Sequence, residues 1–120
     1  MKATFVELTG FTDDVAQFLS DEAFAALQQA LMADPAAGDV MPGCGGLRKV
    51  RTADRSRGKG TRGGGRVIYL HIPDAGRFYL LDIYGKDEKV DLSASEKKEY
   101  RAVADAIKAT VIKRRTKEKR

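Results

Sequence analysis

RVIYLHIPDAGRFYLLDIYGK, residues 66–86, has the strongest strand pattern in the chain. Two runs rich in β-branched and aromatic residues, 66–72 and 77–86, flank the turn sequence PDAG, and this pattern predicts an antiparallel hairpin. Upstream, LRKVR at 47–51 predicts a shorter strand, and the charged, glycine-rich stretch 52–65 predicts a hairpin loop. Three consecutive strands therefore form the predicted sheet.

The first third of the chain predicts a strand followed by two short helices. ATFVELTGF at 3–11 has strand character. Thr12 is the candidate N-cap of the first helix, and Ser20 is the candidate N-cap of the second. The second helix should end near Asp34, because a proline follows and the residue before proline leaves the helical region.

The last part of the chain predicts one long helix. Residues 92–115 form it, and Ser93 and Glu96 have the spacing of a capping box at its start. We expect a single domain over 1–112 and a frayed basic tail over 113–120. The predicted class is α+β: an N-terminal strand and a helical hairpin packed on one face of a small antiparallel sheet, followed by a C-terminal helix.

Charge is distributed unevenly along the chain. The formal net charge is +5, yet residues 1–42 carry one base and seven acids, while residues 43–66 carry eight bases and one acid. Such a basic hairpin on an acidic body suggests a surface that faces a polyanion, and phosphate contacts are the usual reason for one. The alternative is a solvated loop whose charge only keeps the protein soluble.

Several kinds of function are disfavoured by what the sequence lacks. One histidine and one cysteine, without CxxC or HExxH, make a zinc site improbable, and GKGTRGGG lacks the context of a nucleotide-binding loop. No cofactor is expected. We find neither a run of about 18 apolar residues nor a secretory signal, so the expected location is the cytoplasm and no membrane partner is expected.

Lysines and arginines on the central strands are the remaining candidates for chemistry. They can hold phosphate oxygens without a metal, and RNA supplies its own nucleophile, the 2′-hydroxyl. Strand alternation places Lys49 and Arg51 on one face, opposite Val50. It places Asp82, Tyr84 and Lys86 together on one face of the last strand, opposite Leu81 and Ile83. Arg66 begins the strand that should lie between the two sets.

The segments GCGGLRKVR, GGGRVIYLHI and FYLLDIYGKDEKVDLSASE, in this order and spacing, resemble the RelE/ParE superfamily of toxins from bacterial type II toxin–antitoxin systems. The resemblance is closest to HigB-type RelE-like toxins and runs from about Gly38 to Ala102. It implies a ribosome-dependent mRNA endonuclease that enters the A site and cuts by 2′-OH attack on the adjacent phosphate. It also implies a cognate antitoxin, commonly a helix-turn-helix protein.

The resemblance assigns roles to individual residues. Arg66 matches the arginine that binds the scissile phosphate, Lys49 and Arg51 match a basic pair, and Lys86 matches a basic position at the end of the last strand. Arg51 stands where a second lysine is common, so the general base is left open. No tyrosine follows the Lys86 segment closely, so base stacking would fall to Tyr84. The expected further RNA contacts are Arg48, Arg55, Arg57, Lys59 and Arg62.

Two other functions remain open for the same fold. Toxins resembling ParE bind DNA gyrase and cleave nothing, but they usually lack the basic constellation on the central strands. A non-enzymatic module that binds RNA or the ribosome would use the same basic loop and tail. Loss of the Arg66 guanidinium would distinguish this module from a nuclease. RNA binding would weaken modestly in either case, but in a nuclease cleavage would fall by orders of magnitude.

Overall fold

The computed structural model describes residues 3–52, 64–85 and 92–118, with the side chains of the last helix through Ile112. The elements are β1 (Thr4–Glu7), α1 (Thr9–Phe18), α2 (Asp21–Ala33), β2 (Asp39–Val40), β3 (Arg48–Arg51), β4 (Gly65–Ile72), β5 (Arg77–Gly85) and α3 (Ala94–Glu118), with a short 3₁₀ turn at Pro73–Ala75 between β4 and β5. The predicted α+β class is confirmed.

Five strands form one mixed sheet in the order β1-β5-β4-β3-β2. The predicted antiparallel pairing of β3 with β4 and of β4 with β5 is confirmed. The N-terminal strand β1 instead runs parallel to β5, with Thr4 opposite Arg77 and Glu7 opposite Leu80. The sheet is therefore not purely antiparallel, and β2 is an additional edge strand.

Helices cover both faces of the sheet, which corrects the prediction that they pack on one face. The physical reason is that β4 and β5 are apolar at both alternating sets of positions, so each face must be buried. On the α1/α2 face the buried residues are Phe11, Leu19, Leu27, Leu31, Val67, Tyr69, Phe78, Leu80 and Ile83. On the α3 face they are Met41, Cys44, Leu47, Ile68, Leu70, Tyr79, Leu81, Tyr84, Ala104 and Val111.

The helix ends test the capping predictions. The Ser20 Oγ accepts a hydrogen bond from the Ala23 amide at 3.1 Å, and α2 ends at Ala33, immediately before Asp34. The Ser93–Glu96 capping box is also present, with both of its hydrogen bonds at 3.1 Å. The Thr12 prediction is wrong, because α1 begins at Thr9 and Leu8 occupies the N-cap position.

The C-terminal helix is longer than predicted. Its backbone continues through Glu118, so residues 113–118 are helical rather than frayed. Lys108 Nζ donates a hydrogen bond to the Gly45 carbonyl and ties the middle of α3 to the loop that precedes β3. Within residues 3–52, 64–85 and 92–118, no helix is long and apolar enough to cross a bilayer.

Candidate nucleic-acid interface

Two cross-strand rows bring the predicted cations together. Arg51 on β3 is opposite Arg66 on β4, and Arg66 is opposite Tyr84 on β5. In the next row Lys49, Ile68 and Asp82 are opposite one another. Residues directly opposite in adjacent strands point to the same side, and the rows share the α3 face because Ile68 and Tyr84 belong to its core.

The shared face of Lys49 and Arg51 is therefore confirmed. Val50 packs on the α1/α2 face, as the alternation predicts. We call Lys49, Arg51 and Arg66 the basic face. Their arrangement follows from strand register alone, whereas their roles in RNA binding and catalysis remain predictions.

The root of the β3–β4 hairpin is held by one threonine and one glycine. Thr52 is 5% exposed, its Oγ1 donates to the Gly65 carbonyl at 3.1 Å, and it accepts from the Gly65 amide at 3.0 Å. A Cβ on Gly65 would lie 3.3 Å from Ile83 and 3.4 Å from Phe18, which is tighter than ordinary packing. This closure fixes the backbone that carries Arg51 and Arg66.

Among the described residues, Lys49, Arg51 and Arg66 form no ion pair with a carboxylate. Within the same residues, the Arg66 Nη1 donates to the carbonyls of Gly64, at 3.4 Å, and Gly65, at 3.3 Å. Arg101 and Asp105 form an ion pair at 3.8 Å, but both residues lie on α3. Arg51 is exposed and Arg66 is half-buried, so an anion could reach both guanidinium groups.

A β-bulge on β5 changes which residues join this face. Ile68 is opposite Asp82, but Tyr69 is opposite Leu80, so Leu81 is an extra residue in β5. Leu81 therefore packs on the α3 face together with Tyr84, and the prediction that Leu81 lies on the other side is wrong. The predicted common face of Asp82 and Tyr84 is confirmed.

Asp82 is anchored by hydrogen bonds at both of its carboxylate oxygens. Oδ2 accepts from the Tyr100 hydroxyl at 3.0 Å, and Oδ1 accepts from the Ile83 amide at 2.9 Å. The first bond connects β5 to α3. No sequence signal could have paired Tyr100 with Asp82, because the pairing depends on the bulge.

Two predicted RNA contacts need correction. The Tyr84 side chain is 4% exposed within the α3-face core, so its ring faces are not available for stacking on a base. Arg48 points to the α1/α2 face, and its Nη1 donates to the Gly38 carbonyl at 2.7 Å and the Ala36 carbonyl at 3.5 Å. Arg48 holds the segment after α2 and does not join the basic face.

Several predicted residues lie outside the described part of the chain. They are Arg55, Arg57, Lys59 and Arg62 of the hairpin tip, and Lys86 after β5. Their roles stay predictions.

Tyr69 and His71 have environments that shift their pKa values. Burial raises the pKa of Tyr69, whose hydroxyl donates to the Pro35 carbonyl at 2.8 Å. Burial lowers the pKa of His71, which stacks on Phe78 with a 4.4 Å centroid distance. Both side chains lie on the α1/α2 face, away from the basic face.

The described residues contain no group of three or more histidine, cysteine, aspartate or glutamate side chains able to hold a metal ion. No protein-family model matches the chain. The functional interpretation therefore depends on the geometry of the basic face and on the resemblance of the strand sequences to RelE-like toxins.

Proposed function

We propose that this protein is a toxin of a type II toxin–antitoxin system, related to the HigB-type members of the RelE/ParE superfamily. Its activity is ribosome-dependent, metal-independent cleavage of mRNA in the bacterial cytoplasm. The observation that carries the proposal is the direct cross-strand pairing of Arg51 with Arg66, with Lys49 in the next row, in the absence of carboxylate partners among the described residues.

Two adjacent arginines are well placed to bind a phosphodiester group. Like charges directly opposite in a sheet are destabilising, so their pairing favours a function that uses the charge. Guanidinium groups can bind phosphate oxygens in a bidentate manner and remain charged at any working pH. Arg66 would hold the scissile phosphate and stabilise the additional negative charge of the transition state. Arg51 and Lys49 would hold the adjoining part of the message.

The partners follow from the same surface and from the resemblance. The message would reach the basic face while bound in the ribosomal A site, and the basic tip of the hairpin would contact ribosomal RNA. A cognate antitoxin, expected to carry a helix-turn-helix domain, would cover the basic face and keep the toxin inactive.

The test is a translation reaction with purified ribosomes and a labelled message, followed by mapping of new 5′ ends. The wild-type protein should cut the message only when ribosomes are present. Arg66→Ala should reduce the cutting rate by about 10²-fold or more, because one charge-stabilising donor of the transition state is removed. Arg77→Ala is the matched control, since Arg77 lies at the other end of the β4–β5 hairpin, opposite Ile72.

Other results would overturn the proposal in distinct ways. Intact message with tight ribosome binding would identify a non-enzymatic RNA-binding module. Intact message with arrested DNA replication in cells would identify a gyrase-binding toxin of the ParE type. An equal decrease of cutting in Arg66→Ala and Arg77→Ala would show that Arg66 has no special place in the reaction.

A further inference from the structure

The basic face lacks an obvious proton acceptor. Attack by a 2′-hydroxyl requires removal of its proton, and a general base contributes about 10²- to 10⁴-fold to such a step. Arginine does not accept a proton near neutral pH, and lysine does so only when its environment strongly favours the neutral amine. The single histidine, His71, stacks on Phe78 on the opposite side of the sheet.

The bulge in β5 brings a carboxylate to this face. Without the bulge, strict alternation from Leu80 would place Leu81 on the α3 face and Asp82 on the α1/α2 face. With it, Asp82 lies opposite Ile68 and diagonal to Arg66, a spacing that long side chains can bridge. Bulges next to active sites commonly redirect one side chain in this way.

The Asp82 carboxylate is also held in a fixed orientation. The Tyr100 hydroxyl binds Oδ2 and the Ile83 amide binds Oδ1, so neither oxygen can rotate freely. The side chain is nevertheless only partly buried. A general base needs this combination of fixed geometry and access to the substrate.

We propose that Asp82 accepts the 2′-hydroxyl proton and that Tyr100 is its positioning residue, an inference that rests on the proposed endonuclease function. The O–H bond of the 2′-hydroxyl breaks as its proton moves to Oδ2 of Asp82. The 2′-oxygen then bonds to phosphorus and the P–O5′ bond breaks. The departing 5′-oxygen takes a proton from water, and the resulting hydroxide is neutralised by the proton released from Asp82. The products are a 2′,3′-cyclic phosphate and a 5′-hydroxyl.

The titratable and charged groups around Asp82 come from three strands and one helix. By strand register and by position on α3 they are Lys49, Arg51, Arg66, Tyr84, Glu96, Lys97 and Tyr100. Asp39 also lies in register with Lys49, but on the exposed edge strand β2, three strands away from the strand β5 that carries Asp82. Asp39 is therefore a matched control carboxylate.

The experiment measures single-turnover cleavage of ribosome-bound message over a series of protein concentrations, which gives the cleavage rate at saturation and the affinity for the ribosome separately. Asp82→Asn keeps the shape and one hydrogen-bond acceptor. It should lower the cleavage rate at saturation by about 10²- to 10⁴-fold and leave ribosome binding unchanged. Asp39→Asn should cleave like the wild type.

Tyr100→Phe separates positioning from mere structural support. It should lower the cleavage rate at saturation without changing ribosome binding, because Asp82 remains but loses the hydrogen bond that orients its carboxylate. Thermal unfolding of each variant shows whether the fold is intact.

A wild-type cleavage rate in a folded Asp82→Asn would overturn this inference while leaving the endonuclease proposal standing. An unaltered cleavage rate in a folded Tyr100→Phe would remove the positioning role. If the wild-type protein itself leaves the message intact, the failure belongs to the proposed function.

Discussion

A single buried phenol connects three parts of this molecule. Tyr69 is 0% exposed, and its hydroxyl donates to the Pro35 carbonyl and accepts from the Gly38 amide at 3.0 Å. Gly38 is also where a Cβ would lie 2.9 Å from the Lys49 carbonyl, so no larger residue fits beside β3. Tyr69 therefore fixes the segment between α2 and β2 against the sheet.

The ionisation of Tyr69 should make the fold sensitive to alkali. Burial raises the pKa of Tyr69 in the folded state above its ordinary value, so folding favours the neutral phenol. The corresponding stability is fully present below about pH 10, the unfolded value, and is lost as the pH rises through the folded value. Urea unfolding measured across this range should show the decline in the wild type.

Tyr69→Phe is the comparison for this effect. At neutral pH it should cost about 1–3 kcal/mol, because the Gly38 amide and the Pro35 carbonyl lose their shared partner. Its stability should then fall less steeply above about pH 10 than that of the wild type. Parallel curves for the two proteins would show that Tyr69 ionisation is not linked to unfolding.

Among the secondary-structure elements, the two N-terminal helices offer a direct test of capping. Ser20→Ala should lower the free energy of unfolding by about 0.5–2 kcal/mol, because the Ala23 amide at the start of α2 loses its acceptor. Thr12→Ala removes no cap, since Thr12 lies inside α1 and its hydroxyl donates to Glu7 Oε1 at 3.0 Å. Urea unfolding of both variants at pH 7 measures the difference. A larger destabilisation in Thr12→Ala would contradict the observed start of α1.

Features that depend on adjacent residues were predictable from the sequence, and features that depend on distant pairing were not. Ser20 and the Ser93–Glu96 box cap helices through bonds that span three residues, and alternation alone placed Lys49 and Arg51 on one face. The start of α1 was missed because the Leu8 amide pairs with the Leu80 carbonyl at 2.9 Å, which continues the β1–β5 pairing directly into the helix.

In the candidate site, too, the residues set by local sequence were predictable and those set by distant pairing were not. Its cations were predictable because β3 and β4 are regular strands joined in sequence. The Asp82–Tyr100 pair was not, because the bulge arises only when β5 is matched against β4, and Tyr100 is 18 residues away in α3. Strict alternation of side chains along β5 therefore predicts the wrong face of the sheet for Leu81.

In the whole molecule, acidic and basic residues are concentrated in different secondary-structure elements. The acidic residues 1–42, with seven acids and one base, form β1, α1, α2 and β2, whereas the basic residues 43–66 contribute β3 and the start of β4. Apart from the short β2, the acidic elements pack on the face opposite the basic face or along the β5 edge. Such a distribution orients a protein toward a polyanion and speeds encounter with it, in a manner that depends on ionic strength.

Shortening the hairpin tests how this charge is divided between the basic face and the loop beyond it. Replacement of residues 53–64 by Asn-Gly removes Arg55, Arg57, Lys59 and Arg62, together with one acid, Asp54. Stability should change little, because Thr52 and Gly65 close the root of the hairpin with their own hydrogen bonds. The plot of log affinity for ribosomes against log salt concentration should become shallower, by about 0.7 for each RNA phosphate that the shortened loop no longer neutralises.

The same variant should also cut message on ribosomes more slowly at physiological salt and recover at low salt, where the remaining cations suffice for binding. Arg66→Ala in the full-length hairpin is the complementary variant: its cleavage should stay low at every salt concentration, because the substitution weakens stabilisation of the transition state and not the encounter with the ribosome. A shortened hairpin that binds and cuts like the wild type at all salt concentrations would show that the tip makes no ribosomal contact. The basic face alone would then have to account for recognition.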